Sequence, residues 1–98
     1  MIHRLYCSSG NTVGVHEYIG VFEIDPSDHC TRYVEIKADG TVLRYDLNHD
    51  ADAFGQLPEG RWEEIEASKQ MYGTYIAISS SLFESVWSAV HGANEIPY

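Results

Sequence analysis

The chain is expected to fold as an α+β domain: an antiparallel sheet of four or five strands, with a C-terminal helix and a short second helix packed on one face. Three observations carry that expectation. Runs rich in β-branched and aromatic residues recur from Ile2 to Leu47 with only short polar breaks between them. Asp39-Gly40 separates two such runs, TRYVEIK and TVLRYDL, as a tight turn does. Beyond Ser81 the spacing of apolar residues changes from alternate to helical, at Leu82, Phe83, Val86, Trp87 and Val90.

IHRLYC (2–7) reads as the first strand, and SSGNTVG (8–14) as the turn after it. EYIGVFEID is the second strand, closed by Pro26 and Asp28 in a segment with turn chemistry. The next two strands meet at Asp39-Gly40. A two-residue loop there pairs Ala38 with Thr41, Ile36 with Leu43 and Val34 with Tyr45, gathering apolar side chains on one face and setting Glu35 opposite Arg44. A three-residue loop pairs Glu35 with Leu43 and mixes the faces, so the even-numbered loops of two or four residues are preferred. NHDADAFGQLPEG (48–60) is polar loop. RWEEIEASKQ (61–70) carries Trp62, Ile65 and Lys69 at helical spacing and is the short second helix. GTYIAIS (73–79) is a last strand. Ser81 and Glu84 have the spacing of a capping box, His91 suits the last turn of the final helix, and Gly92 suits its stop.

At 98 residues the chain has the length of one domain, 1–98. Its hydrophobic fraction of 44% and charged fraction of 21% are those of a globular protein and argue against disorder. The charge balance is less ordinary. Fifteen acidic residues against six basic ones leave a formal charge of −9. Such a chain is repelled by nucleic acid and by anionic lipid, so neither is expected as a direct partner, whereas a basic protein is attracted. Cys7 and Cys30 form no CxxC and are too few for a disulfide framework. No apolar run has the length of a signal peptide or a membrane span, and a cytoplasmic location is expected.

In YDLNHDADAFGQ, Asp46, Asn48 and Asp50 fall where a calcium loop places its first three ligands. Ala51 then stands at the position of the obligatory glycine, and Leu57 where the bidentate glutamate belongs, so no calcium site is expected. His3, His16, His29, His49 and His91 contain no pair at the spacing of a helical zinc site. There is no GxSxG elbow and no Gly-rich phosphate loop. Glu63 and Glu64 are adjacent, and on a helix they diverge by about 100°, which is wrong for an acid/base pair. No catalytic residues, metal or cofactor are therefore expected.

An acidic surface is what remains. Asp46, Asp50, Asp52, Glu59, Glu63, Glu64 and Glu66 crowd one segment, with Phe54 and Trp62 among them and only Arg61 opposing. Aromatic anchors ringed by charge are typical of an interface, so Asp46, Asp50, Asp52, Phe54, Glu59, Trp62 and Glu63 are the candidate partner-binding residues. From Phe22 to Val90 the chain also resembles a family of small acidic bacterial domains of unknown function. The likeness rests on Phe22-Glu23-Ile24-Asp25, Arg32-Tyr33-Val34-Glu35-Ile36, Asp39-Gly40, Glu63-Glu64-Ile65, and Ile78-Ser79 leading to Phe83 and Trp87. Domains of this size and charge resemble the immunity proteins of polymorphic toxin systems. The resemblance implies a protein-binding inhibitor whose acidic loop masks the basic surface of a toxin such as a nuclease. The alternatives are a phage-type nucleic-acid mimic directed at a host defence complex, or a small-molecule-sensing domain.

Overall fold

The computed structural model describes residues 1–8, 17–64 and 73–94. Its strands are β1 (Ile2–Ser8), β2 (Tyr18–Ile24), β3 (Cys30–Lys37), β4 (Val42–Asp46), β5 (Ala51–Asp52), β6 (Gly55–Gln56) and β7 (Gly73–Ala77), and its helix is α1 (Ser80–Ala89). Five strands make one antiparallel sheet in the order β4-β3-β2-β1-β7, while β5 and β6 form a small separate hairpin. The α+β class, the five-stranded sheet and the C-terminal helix are as expected. Of the second helix expected over 61–70, residues 65–70 lie outside the described residues. Arg61, at its start, instead bridges His29, and of the described residues 61–64 Glu64 alone is helical. The turn expected over 8–14 lies almost wholly outside the described residues as well.

The hairpin between β3 and β4 corrects the expected register. Its loop has three residues, Ala38-Asp39-Gly40, so that Ile36 pairs with Val42, Glu35 with Leu43 and Tyr33 with Tyr45. Lys37 N–H donates to Thr41 O at 2.8 Å, Gly40 N–H to Lys37 O at 2.9 Å, and Asp39 Oδ1 accepts from Thr41 N–H at 2.9 Å. Gly40 sits at φ +90°, the left-handed bulge position that closes a three-residue hairpin and that glycine fills without steric cost. The expectation failed because it assumed one buried face, whereas this sheet is covered on both.

On one face the cross-strand row Leu5, Val21, Val34 lies under α1. Val21, Val34 and Phe83 are fully buried there, each contributing roughly 1.5–3 kcal/mol by leaving water. The other face carries Phe22, Ile24, Tyr33, Leu43 and Tyr45, and is covered by Leu57 and Trp62 from the segment that follows β4. The two layers thus flank the sheet. Glu35 shares this second face, where it accepts a 2.8 Å hydrogen bond from Tyr33 O–H and pairs with Lys37 at 3.2 Å.

Helix α1 begins two residues earlier than the capping-box reading placed it. Ser79 is the N-cap, with Oγ accepting from Leu82 N–H at 3.1 Å. Ser79 follows Ile78, whose N–H still donates to His3 O at 3.1 Å, so the chain leaves the sheet and enters the helix within one residue. Glu84 is free of any capping duty and instead pairs with Arg32. Val90 ends the helix in an extended conformation, so His91 and Gly92 lie beyond it. Gly92 is there for space, not for a helix stop: a Cβ on it would collide with the Asn94 side chain and come within 2.9 Å of Arg44 N.

Between α1 and the sheet lies a charged cluster. His3, Glu23 and Arg32 form one cross-strand row over β1, β2 and β3. Glu23 is buried and accepts from Arg32 Nη2 at 2.5 Å, Arg32 Nε at 3.0 Å and Thr31 Oγ1 at 2.8 Å, with His3 Nε2 at 3.4 Å. The Arg32 guanidinium lies 4.9 Å from the Phe83 ring centroid and 5.2 Å from that of Trp87. Hydrogen bonding from Arg32, added to by Thr31 and working against the desolvation of burial, lowers the Glu23 carboxyl to about 2.

Two measurements check this packing. Phe83→Ala should lower unfolding free energy by about 3–5 kcal/mol, whereas Leu82→Ala, on the exposed side of the same helix, should change it by less than about 0.5 kcal/mol. Denaturant titrations of both variants read the difference directly. The folded pKa of Glu23 lies below its unfolded value of 4.5, so its contribution is present above that pH and is lost as pH falls toward about 2. Glu23→Gln should therefore cost on the order of 2–3 kcal/mol at neutral pH, and its deficit should shrink on acidification toward pH ~2.

Candidate functional site

The acidic segment begins where β4 ends. Asp46 Oδ1 accepts from the backbone N–H groups of Asn48 at 2.8 Å and His49 at 2.9 Å, which turns the chain back on itself. Leu57 N–H donates to Asp50 O at 2.7 Å, and the Leu57 side chain is buried on the sheet. Between them stands the β5–β6 hairpin, which pairs Ala51 with Gln56 and Asp52 with Gly55.

Asp52 organises that hairpin. Its Oδ1 accepts from Tyr45 O–H at 2.8 Å, Phe54 N–H at 2.8 Å and Gly55 N–H at 3.2 Å. Its Oδ2 lies 2.8 Å from His49 Nε2 and accepts from Asn94 Nδ2 at 3.0 Å. Hydrogen bonding from His49, reinforced by Phe54 N–H, Asn94 and Tyr45, holds its carboxyl well below the usual carboxylate range. Asn94 is itself buried, and it ties this carboxylate to β4 by accepting from Arg44 N–H at 3.0 Å and donating to Arg44 O at 2.8 Å.

The candidate partner-binding residues thus divide. Asp52 and most of Trp62 are used by the fold. The Trp62 ring packs 5.1 Å from Phe22 and edge-on to Tyr75 at 5.7 Å, while its backbone N–H donates to Asp28 O at 2.6 Å. Glu64 is also occupied, by an ion pair to Arg4 at 2.8 Å. Asp46 is half-buried and capped by its own turn. Asp50, Glu59 and Glu63 are exposed, and Phe54 is 62% exposed at the hairpin tip. Leu47, 69% exposed in the same segment, was missed because its alternation continues β4, which suggested an inward residue. Asn94 was missed too, since a lone asparagine after a helix carries no sequence signal of an edge contact. Glu66 lies outside the described residues.

No protein-family model matches the chain, and no curated protein or solved structure is significantly similar to it. The site rests on its own geometry.

Two small hollows lie among the described residues. A cleft of about 180 Å³ between β4 and α1 is lined by Arg44, Tyr45, Asp46, His49 and Trp87, and the Arg44 guanidinium lies 4.2 Å from the Trp87 ring centroid. A hollow of about 80 Å³ lies beside Cys30 and Trp62. Burial pushes the Cys30 thiol up to about 12, and its Sγ–H donates to Arg32 O at 3.2 Å, so it is held as the unreactive thiol. Cys7 and Cys30 are both free. Among the described residues no three His, Cys, Asp or Glu side chains converge as a metal site. No helix among them is long and apolar enough to cross a membrane.

Asp52→Asn and Asp50→Asn should separate the two kinds of carboxylate. The first replaces an acceptor of at least four donors with an amide whose NH₂ faces some of them, so it should lower the melting temperature and release the hairpin. The second alters an exposed charge and should leave the melting temperature within error. Thermal melts, with amide exchange at Phe54 and Gly55 as the local readout, check both.

Proposed function

We propose that the protein is a binding module whose acidic segment docks on a basic protein and masks it, the role of an immunity protein that neutralises a toxin. One observation carries this reading. The segment from Asp46 to Glu63 is pinned to the sheet through Asp52, Leu57 and Trp62, yet it leaves Asp50, Phe54, Glu59 and Glu63 in solvent. A surface that is both charged and held in place by backbone hydrogen bonds loses little conformational freedom on binding, so more of its electrostatic attraction is realised as affinity. Phe54, projecting from the hairpin tip, supplies the apolar anchor that a carboxylate ring by itself lacks.

The mechanism is steering followed by occlusion. A net charge of −9 accelerates encounter with a cationic partner at low ionic strength, and carboxylates then stand where the partner would hold substrate phosphates, as on a nuclease. The cytoplasm, where such a toxin would be met by its own producer, is the corresponding compartment. A nucleic-acid mimic aimed at a defence complex would use the same charges, but it would need them at phosphate spacing over a longer surface than one hairpin and its flanks offer.

Replacing Asp50, Glu59 and Glu63 together by Lys should leave the melting curve nearly unchanged, since all three are exposed. Association with a basic partner captured from the native host should slow by roughly tenfold or more at low salt, and the wild-type rate should fall as salt rises. Phe54→Ala should act instead on dissociation, costing about 1–3 kcal/mol of binding. A captured partner that binds the triple variant at the wild-type rate at low and high ionic strength would refute the docking role of this segment.

A further inference from the structure

The two edges of the sheet are treated differently. Along β4 the outward backbone groups are closed one after another: Val42 O accepts Ala93 N–H at 2.6 Å, Arg44 N–H and O are both taken by the Asn94 amide, and Asp46 exchanges two 3.2 Å bonds with His49. The side chain of Asn94 here does the work of a neighbouring strand. Along β7 nothing comparable stands among the described residues. The bond from Ile78 N–H to His3 O sets the phase of the β1–β7 ladder, so Thr74 and Ile76 turn their peptide groups toward β1, while Gly73, Tyr75 and Ala77 turn theirs outward, Gly73 being buried and the other two reachable from solvent.

An outward row of N–H and C=O groups is recognised by another extended backbone, and proteins that avoid such pairing place Lys, Glu, Pro or a bulge on the edge. The edge GTYIA has none of these. On the helix side of the sheet Ile76 is 59% exposed, and the nearby cross-strand pair Cys7–Ile19 is exposed too. Charge identifies the occupant. In a chain of net charge −9, two copies are best brought together where carboxylates are fewest, and β1 and β7 contain no acidic residue. Glu64, which reaches Tyr75, is neutralised by its 2.8 Å pair with Arg4. The strand is also self-complementary. With Gly73 buried, the open groups are those of Tyr75 and Ala77: a two-fold axis at Ile76 sets Tyr75 opposite Ala77 of the second copy, giving two hydrogen-bonded pairs, and brings the two Ile76 side chains together on the helix side.

We infer that two copies of this chain pair antiparallel through β7, joining their sheets into one. The pairing uses residues separate from the acidic docking segment and responds to salt in the opposite sense. Screening relieves repulsion between two acidic chains and strengthens the dimer, while it weakens attraction to a basic partner.

Sedimentation equilibrium of the full chain from roughly 1 μM to 1 mM, at low and high ionic strength, tests this over the range of weak to moderate self-association. The mass should rise from one chain toward two, and at a lower concentration in high salt. Ala77→Pro removes an outward N–H without touching the β1 ladder, and Ile76→Lys places like charges in the interface; each should weaken the dimer by tenfold or more. Circular dichroism of the dilute variants confirms that they fold, and the second serves where proline distorts the strand. Amide protection at Tyr75 and Ala77 should grow with protein concentration. A chain that remains monomeric up to the highest concentration overturns the inference. So does a dimer that keeps its affinity in both variants, or one in which the Tyr75 and Ala77 amides exchange as fast as in the monomer.

Discussion

The Glu23 carboxylate sits where sheet and helix meet, and much of the architecture is arranged to keep it satisfied. Removing an anion from water costs several kcal/mol unless every acceptor site is filled, and three side chains, His3, Thr31 and Arg32, converge on this one. Arg32 is thereby fixed, and its second carboxylate partner, Glu84, comes from α1. The ion pair consequently specifies where the helix lies. Phe83 and Trp87 then pack over the guanidinium, and the same turn of helix buries Phe83 on Val21 and Val34. The buried Phe83 and the ion pairs running from Glu23 through Arg32 to the exposed Glu84 together select one position of α1 on the sheet.

A second constraint acts from the opposite face. Phe22, Tyr33, Leu43 and Tyr45 are too large and too apolar to be left in water, and no long element covers them in the described residues except the chain after β4. That chain is mostly polar, so it covers the face by giving up a few side chains, Leu57 and Trp62, and by satisfying its own backbone with carboxylates. Asp46, Asp52 and, in the preceding loop, Asp25 all act in this way, each accepting backbone N–H groups that would otherwise lack partners. The acidic composition therefore has two physical sources. One set of carboxylates substitutes for secondary structure, and the other stands in solvent and gives the surface its field.

Several elements were legible before any coordinates. Alternation of β-branched and aromatic residues located β1 to β4 and β7, and the stripe from Phe83 to Val90 located α1, because those periodicities follow directly from backbone geometry. The Pro26–Asp28 turn was legible as well, with Asp25 and the positive φ of Asp28 completing it. The hairpin register was not. Its parity was inferred from segregation of apolar and charged residues, which holds for a sheet with one wet face and fails for one covered on both sides. The helix cap was misassigned for a related reason: three successive serines can each cap, and only the tether of Ile78 to His3 selects Ser79.

For the candidate site the division follows the range of the forces involved. Sequence alone determined that the chain is strongly acidic, that its carboxylates crowd between Asp46 and Glu66, and that neither a calcium loop nor a familiar catalytic motif is complete, because these are matters of composition and local spacing. Which carboxylates remain free was decided only in three dimensions. Asp50 and Asp52 are two residues apart and identical in kind, yet Asp52 meets Tyr45 and Asn94, which are distant in sequence, while Asp50 meets water. The same holds for the sheet edges: β4 and β7 read alike as strands, and tertiary contacts from Ala93 and Asn94, with the local turn at His49, close β4. Contacts between residues far apart in the chain leave no periodic trace in it, and those contacts separate the carboxylates that build this protein from the ones it presents.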